Sequence, residues 1–131
     1  MGARTYDTEV EESEVAQLAE QYVGESFEET SSMFIKQIHA EASGIDLPAS
    51  MEELRDYGDK LHIEELQPGD LMFFSDTANG TDPVMAAIYA GEGAFITVID
   101  GEIVSKTIND DLDWINRLIE GRTISTAETV R

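Results

Sequence analysis

Two histidines and no cysteine are all that this chain of 131 residues offers toward imidazole or thiol chemistry. The other nucleophile candidates are hydroxyls, and a hydroxyl attacks usefully only with a base in hydrogen-bond reach. Ser31 and Ser32 lie eight and seven residues before His39 in one apolar-periodic run. At 1.5 Å rise per residue the ring is about 11 to 12 Å away, which forbids direct proton transfer. His62 falls in a connector between periodic segments. The two rings therefore read as ordinary side chains, His39 partly exposed on its helix and His62 in a loop.

Carboxylates are abundant enough to form pairs, namely Glu28-Glu29, Glu64-Glu65 and Asp110-Asp111. Such pairs can ligate a hard cation or act as the acid and base of a glycosidase. With 28 Asp and Glu in the chain, adjacency by chance is expected, and they are assigned to the solvated surface. There is no Asp-rich calcium loop, phosphate-binding glycine loop or zinc motif. No metal and no cofactor is expected. Met33, Met72 and Met85 read as core filler.

Against those 28 acids stand only 8 Lys and Arg, a formal net charge of −20. Nucleic acid and anionic membrane are excluded as partners by that field. Self-repulsion opposes compaction in dilute buffer, whereas at molar salt the Debye length falls to about 3 Å. With Lys36, Lys60 and Lys106 the only lysines, the charge points to a salt-loving source. Absence of cysteine excludes disulfides and thiolate metal sites.

The elements that must position any site follow from period and caps. Thr8-Glu9-Val10-Glu11 has capping-box spacing, and Val15, Leu18, Ala19 and Tyr22 then recur at helical period until Gly24. Met33, Phe34, Ile38 and Ala42 mark a second helix, closed by Gly44. Ser50-Met51-Glu52-Glu53 opens a short third one that Gly58 ends. Beyond it, Leu71 to Phe74, Val84 to Ala90, Ala94 to Ile99 and Glu102 to Thr107 read as strands, with Asp100-Gly101 a hairpin turn. Asp110 to Glu120 is expected to be a last helix, followed by Gly121.

Helices followed by antiparallel strands predict one α+β domain over residues 1–124, with 1–9 a flexible lead-in and 125–131 a loose tail. No apolar run approaches the roughly 18 residues of a membrane span, and the N-terminus lacks a signal-peptide pattern, so synthesis in the cytoplasm is expected.

Taken in chain order, the segments Gly24 to Phe27, Gly44 to Ser50, Gln67 to Phe74, Ile88 to Gly93 and Trp114 with Gly121-Arg122 resemble those of the NlpC-type peptidoglycan endopeptidases, which are papain-like hydrolases. Gln67-Pro68-Gly69-Asp70-Leu71-Met72-Phe73-Phe74 is similar to that family's P-G-D-L-x-F-F signature. Gly44-Ile45-Asp46-Leu47-Pro48-Ala49-Ser50 resembles G-I-x-L-P-R-S, and Gly24-Glu25-Ser26-Phe27 resembles G-x-P-Y. Ile88-Tyr89-Ala90-Gly91-Glu92-Gly93 resembles I-Y-I-G-N-G, and Trp114 with Gly121-Arg122 is similar to the closing tryptophan and G-A-R-R stretch. The resemblance implies a papain-like domain whose helical N-terminal half packs on a small antiparallel sheet.

It also implies where a catalytic triad would stand: a Cys at a helix start, a His as base and a third group orienting the ring. The run Glu29-Thr30-Ser31-Ser32-Met33 matches the family's D-C-S-G-F, which puts Thr30 at the nucleophile position. Four residues before Tyr89 the base position holds Met85, and the orienting position holds Thr97. All three are changed, so the resemblance implies a pseudo-peptidase with a vestigial groove formed by Phe27, Thr30, Ser31, Met85 and Thr97.

Three classes of function stay open. The leading one is a structural or docking part of an oligomeric assembly of other protein subunits, specifically a tail or tail-tip component of a tailed virus of a halophilic host, located in the virion. The second is an inactive module that binds cell-wall muropeptides at the cell surface. The third is a divergent hydrolase.

Overall fold

In the computed structural model, residues 14–56, 58–108 and 112–123 are described. Three helices come first, α1 (Glu14–Gln21), α2 (Ser31–Ser43) and α3 (Met51–Arg55). Six strands then form one sheet: β1 (Asp59–Leu61), β2 (Leu71–Phe74), β3 (Met85–Gly91), β4 (Ala94–Ile99), β5 (Glu102–Thr107) and β6 (Leu118–Thr123). Helix α4 (Leu112–Arg117) sits between the last two. The sheet order is β1-β6-β2-β3-β4-β5, with every neighbouring pair antiparallel. The expected α+β architecture is the one observed.

The boundaries of α2 follow from its caps. The Thr30 hydroxyl accepts the Met33 N–H, and Gly44 closes the helix in the left-handed region at φ 75°, its N–H donating to the Ala40 carbonyl. Ser50 caps α3 through the Glu53 N–H. The turn between β4 and β5 needs two residues at positive φ, and Asp100 (φ 53°) and Gly101 (φ 80°) supply them.

Pleating divides the apolar residues between two layers. Leu71, Phe73, Ala86, Ile88, Ile96 and Ile103 face the helices and pack on Phe34, Ile35 and Ile38 of α2. Met72, Phe74, Met85, Ala87 and Phe95 face the other way, under Trp114 of α4. There Trp114 meets Phe74 and Phe95 edge-on, at centroid distances of 5.6 and 5.2 Å. Burying each such phenylalanine contributes roughly 1.5–3 kcal/mol.

The Pro68-Gly69 turn has a specific lock. The Asp70 carboxylate accepts the Gln67 N–H at 2.8 Å, and the Asp70 N–H donates to the Gln67 carbonyl at 2.9 Å. That aims β2 into the sheet centre, where all four of its residues are buried.

Four expectations need correction. The helix expected to run to Glu120 stops at Arg117, and Leu118–Thr123 is instead a strand lying between β1 and β2. Two ladders of backbone hydrogen bonds outweigh the helical spacing of Leu118 and Ile119. Gly121 is thus no helix cap. It is a strand position where an added Cβ would fall 2.6 Å from Leu66 Cδ2 and 3.2 Å from the Leu71 carbonyl oxygen.

His39 is buried, not partly exposed, because it follows Ile35 and Ile38 on the inward face of α2. Met33 is only half-buried, although Met72 and Met85 are in the core. Strand β1 was not expected at all. The start expected for the first helix and the C-terminal tail lie outside the described residues.

Candidate functional site

Where the N-terminus of α2 meets the start of β3 and the β4–β5 turn, the surface opens into a cavity of about 500 Å³. Glu29, Thr30, Ser31 and Ser32 form one wall, and Ser50 and Met51 at the start of α3 form the next. Val84, Met85, Val98 and Asp100 close the third. Val84 is half exposed at the rim. Among the described residues two carboxylates are the only charged groups of this lining, which has no Lys, Arg or His.

The three consecutive hydroxyls point in different directions and are all engaged. Thr30 is exposed and folded back as the N-cap of its own helix. Ser32 donates to the Ala49 carbonyl at 2.8 Å, so its 3.0 Å contact with Thr30 is one in which Thr30 donates. Ser31 is buried and accepts the Ala86 N–H at 3.0 Å. Across the strand, fully buried Thr97 donates to the Ala86 carbonyl at 2.7 Å. The β3–β4 ladder begins only at Ile88–Ile96. Two side-chain hydroxyls thus satisfy the backbone groups of Ala86, which would otherwise be buried and unpaired.

The first turn of α2 orients its hydroxyls differently. Thr30, at the expected nucleophile position, has its side chain turned outward onto the Met33 N–H. The hydroxyl that the first turn of α2 presents to β3 is Ser31. Met85 lines the cavity while it also packs with Phe74 and Phe95.

Of the five residues expected to form the groove, Thr30, Ser31 and Met85 line it. Thr97 lies buried on Ala86 instead, and Phe27 packs edge-on against Phe34 at 5.5 Å at the margin of the helix-side core. The lining residues Ser50, Met51, Val84, Val98 and Asp100 were missed. Their only sequence signals were a helix cap and a hairpin turn, which speak of structure and not of a site.

His39 takes no part in the cavity. Among the described residues neither of its ring nitrogens has a hydrogen-bond partner, and burial lowers its pKa from 6.5 to about 4. His62 is exposed beside the single turn Ile63–Glu65, its backbone N–H bonded to Glu65 at 2.9 Å. Among the described residues no group of three or more His, Asp or Glu is arranged to hold a metal ion.

A model of the NlpC/P60 family matches residues 21–123. The gamma-DL-glutamyl hydrolase of Bacillus subtilis is 31% identical, over 79% of this chain and 27% of that protein. The "probable endopeptidase NlpC homolog" of Haemophilus influenzae is 30% identical, over 71% of this chain and 48% of that one. The chain thus spans about a quarter to a half of the curated relatives it matches.

Among solved structures, a Staphylococcus aureus protein of the NLP/P60 family, similar to lipoprotein, superposes with a TM-score of 0.71 at 26% identity, covering 91% of this chain and 42% of that one. RipD from Mycobacterium tuberculosis, described as a non-catalytic NlpC/p60 domain protein adapted to peptidoglycan binding, gives 0.61 at 17% identity, covering 85% of this chain and 97% of its own.

Proposed function

The chain belongs to the NlpC/P60 family, and from that premise we propose that it is a non-catalytic member whose cavity holds a cell-wall peptide without cutting it. One observation carries the reading: the hydroxyls of Ser31 and Thr97 are both spent on the backbone of Ala86, and Met85 stands at the expected base position between them in sequence. A serine without an adjacent base is a weak nucleophile, and a thioether accepts a proton too poorly to serve as one. Neither imidazole nor thiol lines the cavity.

What remains suits binding. Met51, Val84, Met85 and Val98 offer apolar contact, and Ser50, whose hydroxyl accepts the Glu53 N–H, keeps a proton to donate. Glu29 and Asp100 favour a neutral or ammonium-bearing peptide over a polyanion. RipD, with the same fold, is described as having this kind of function.

The test is calorimetric titration of the purified chain with a muropeptide mixture, with the recovered peptides analysed by mass. Uptake of intact peptide supports the reading. Cleavage by the wild type that Ser31→Ala abolishes would replace it with a divergent hydrolase. A chain that neither cuts nor retains peptide, but is incorporated into particles of a tailed virus, would make it a structural subunit.

A further inference from the structure

Three of the chain's 8 basic residues converge on one buried carboxylate, although the net charge is −20. Glu120 of β6 has only 4% of its side chain exposed. Its Oε2 accepts from Arg55 Nε at 3.3 Å and from Arg122 Nε at 3.0 Å, and Lys60 Nζ stands 3.9 Å from Oε1. One cation would balance the charge. The second arms of the two guanidiniums say what else the cluster does: Arg122 Nη1 donates to the Gly58 carbonyl at 3.1 Å, and Arg55 Nη1 donates to the Thr81 carbonyl at 3.3 Å.

Arg55 is the last residue of α3, whose N-cap Ser50 and first residue Met51 belong to one wall of the cavity. Thr81 lies three residues before Val84 in the segment that enters β3 and supplies Val84 and Met85 to another wall. A single planar fork therefore joins the two walls from behind and is itself fixed to the sheet through a buried acid.

We propose that Arg55 is a positioning residue that sets the width of the peptide groove, with Glu120 as its anchor. The proposal rests on the groove binding a peptide, as argued above, but the wall spacing can be measured without any ligand. Lysine cannot replace this residue: one ammonium nitrogen can pair with Glu120 but does not reproduce two donors at fixed separation. The buried anchor is also poorly screened, so the spacing is insensitive to salt.

The chain has no cysteine, so Glu52→Cys on α3 and Asp82→Cys on the facing segment, both exposed in the native chain, give a uniquely placed spin-label pair. Distances are read in otherwise native chain, Arg55→Lys, Arg55→Ala and Lys106→Ala, the last removing a charge from β5 far from the cluster. Muropeptide affinity is measured on the unlabelled variants, and melting confirms that each is folded.

Both Arg55 variants are expected to broaden the distance distribution and weaken binding about tenfold or more, with Arg55→Lys melting closer to wild type than Arg55→Ala. Lys106→Ala leaves spacing and affinity unchanged. Unchanged distances in folded Arg55→Lys and Arg55→Ala overturn the proposal, as does a widened groove with native affinity. If the wild type binds no peptide, the functional reading fails, while the distances still decide the clamp.

Discussion

Ser31 and Thr97 meet at one residue, Ser31 taking the N–H of Ala86 and Thr97 giving its proton to the carbonyl. Thr97, at a position that the family resemblance assigns to catalysis, thus joins Ser31, the neighbour of the expected nucleophile position, in holding a strand in place. Ser31→Ala or Thr97→Val leaves a buried backbone group unpaired, which costs about 1–3 kcal/mol. Urea unfolding of the two variants should show that loss with an unchanged slope. Stability equal to wild type in both would mean that the bonds do not form in solution.

Installing a thiol and an imidazole should begin at Ser31, whose hydroxyl faces β3, and not at Thr30, which caps α2. In Ser31→Cys the thiol sits in the first turn of α2, and adding Met85→His places an imidazole on the facing strand. The histidine should lower the pH midpoint of thiol alkylation by iodoacetamide by about one unit or more relative to Ser31→Cys alone. An unmoved midpoint would show that position 85 does not address the helix start.

His39 makes the fold acid-sensitive. Its folded pKa of about 4 lies below the ordinary 6.5, so the unfolded chain binds the extra proton. Stability from this group is complete above pH 6.5 and is lost as the pH falls toward 4. At about 1.4 kcal/mol per unit of pKa the loss is about 3 kcal/mol. Protonation of surface carboxylates relieves repulsion over the same range and works in the opposite direction. The wild type and His39→Leu should therefore be compared at each pH: the difference between them, measured by urea unfolding, should change by that amount between pH 7 and pH 4. A constant difference would show that the ring is solvated.

Salt should stabilise the folded chain. With a net charge of −20, raising KCl from about 0.1 M to about 1 M shortens the Debye length from about 10 Å to about 3 Å and screens the repulsion. The melting temperature should climb steeply over that interval and flatten above it. A flat or falling curve would mean that the acids are locally compensated.

Much of the fold was legible because its signals are local. Gly44, Ser50 and Asp100-Gly101 end or begin their elements in the way their conformational preferences dictate. Strand β6 was not, because Ile115, Leu118 and Ile119 keep a helical spacing and only pairing with distant β1 and β2 makes residues 118–123 extended. In the site, counting back from Tyr89 reached Met85, a residue of the cavity wall. At the helix start Thr30, Ser31 and Ser32 are all able to cap, and only the fold decides that Thr30 does while Ser31 faces β3. For His39 a signal existed and went unused: Ile35, Ile38, His39 and Ala42 share one helical stripe.

The place of β6 in the sheet also orders events during synthesis. Leu71 pairs with Arg122 and Asp59 with Thr123, contacts that close loops of some fifty to sixty residues and form late. Until residues 118–123 leave the ribosome, one edge of the wholly apolar strand Leu71–Phe74 is open and β1 has nothing to pair with. The nascent domain passes through a stage with a sticky central edge, when the dense negative charge of the chain guards against association with its neighbours.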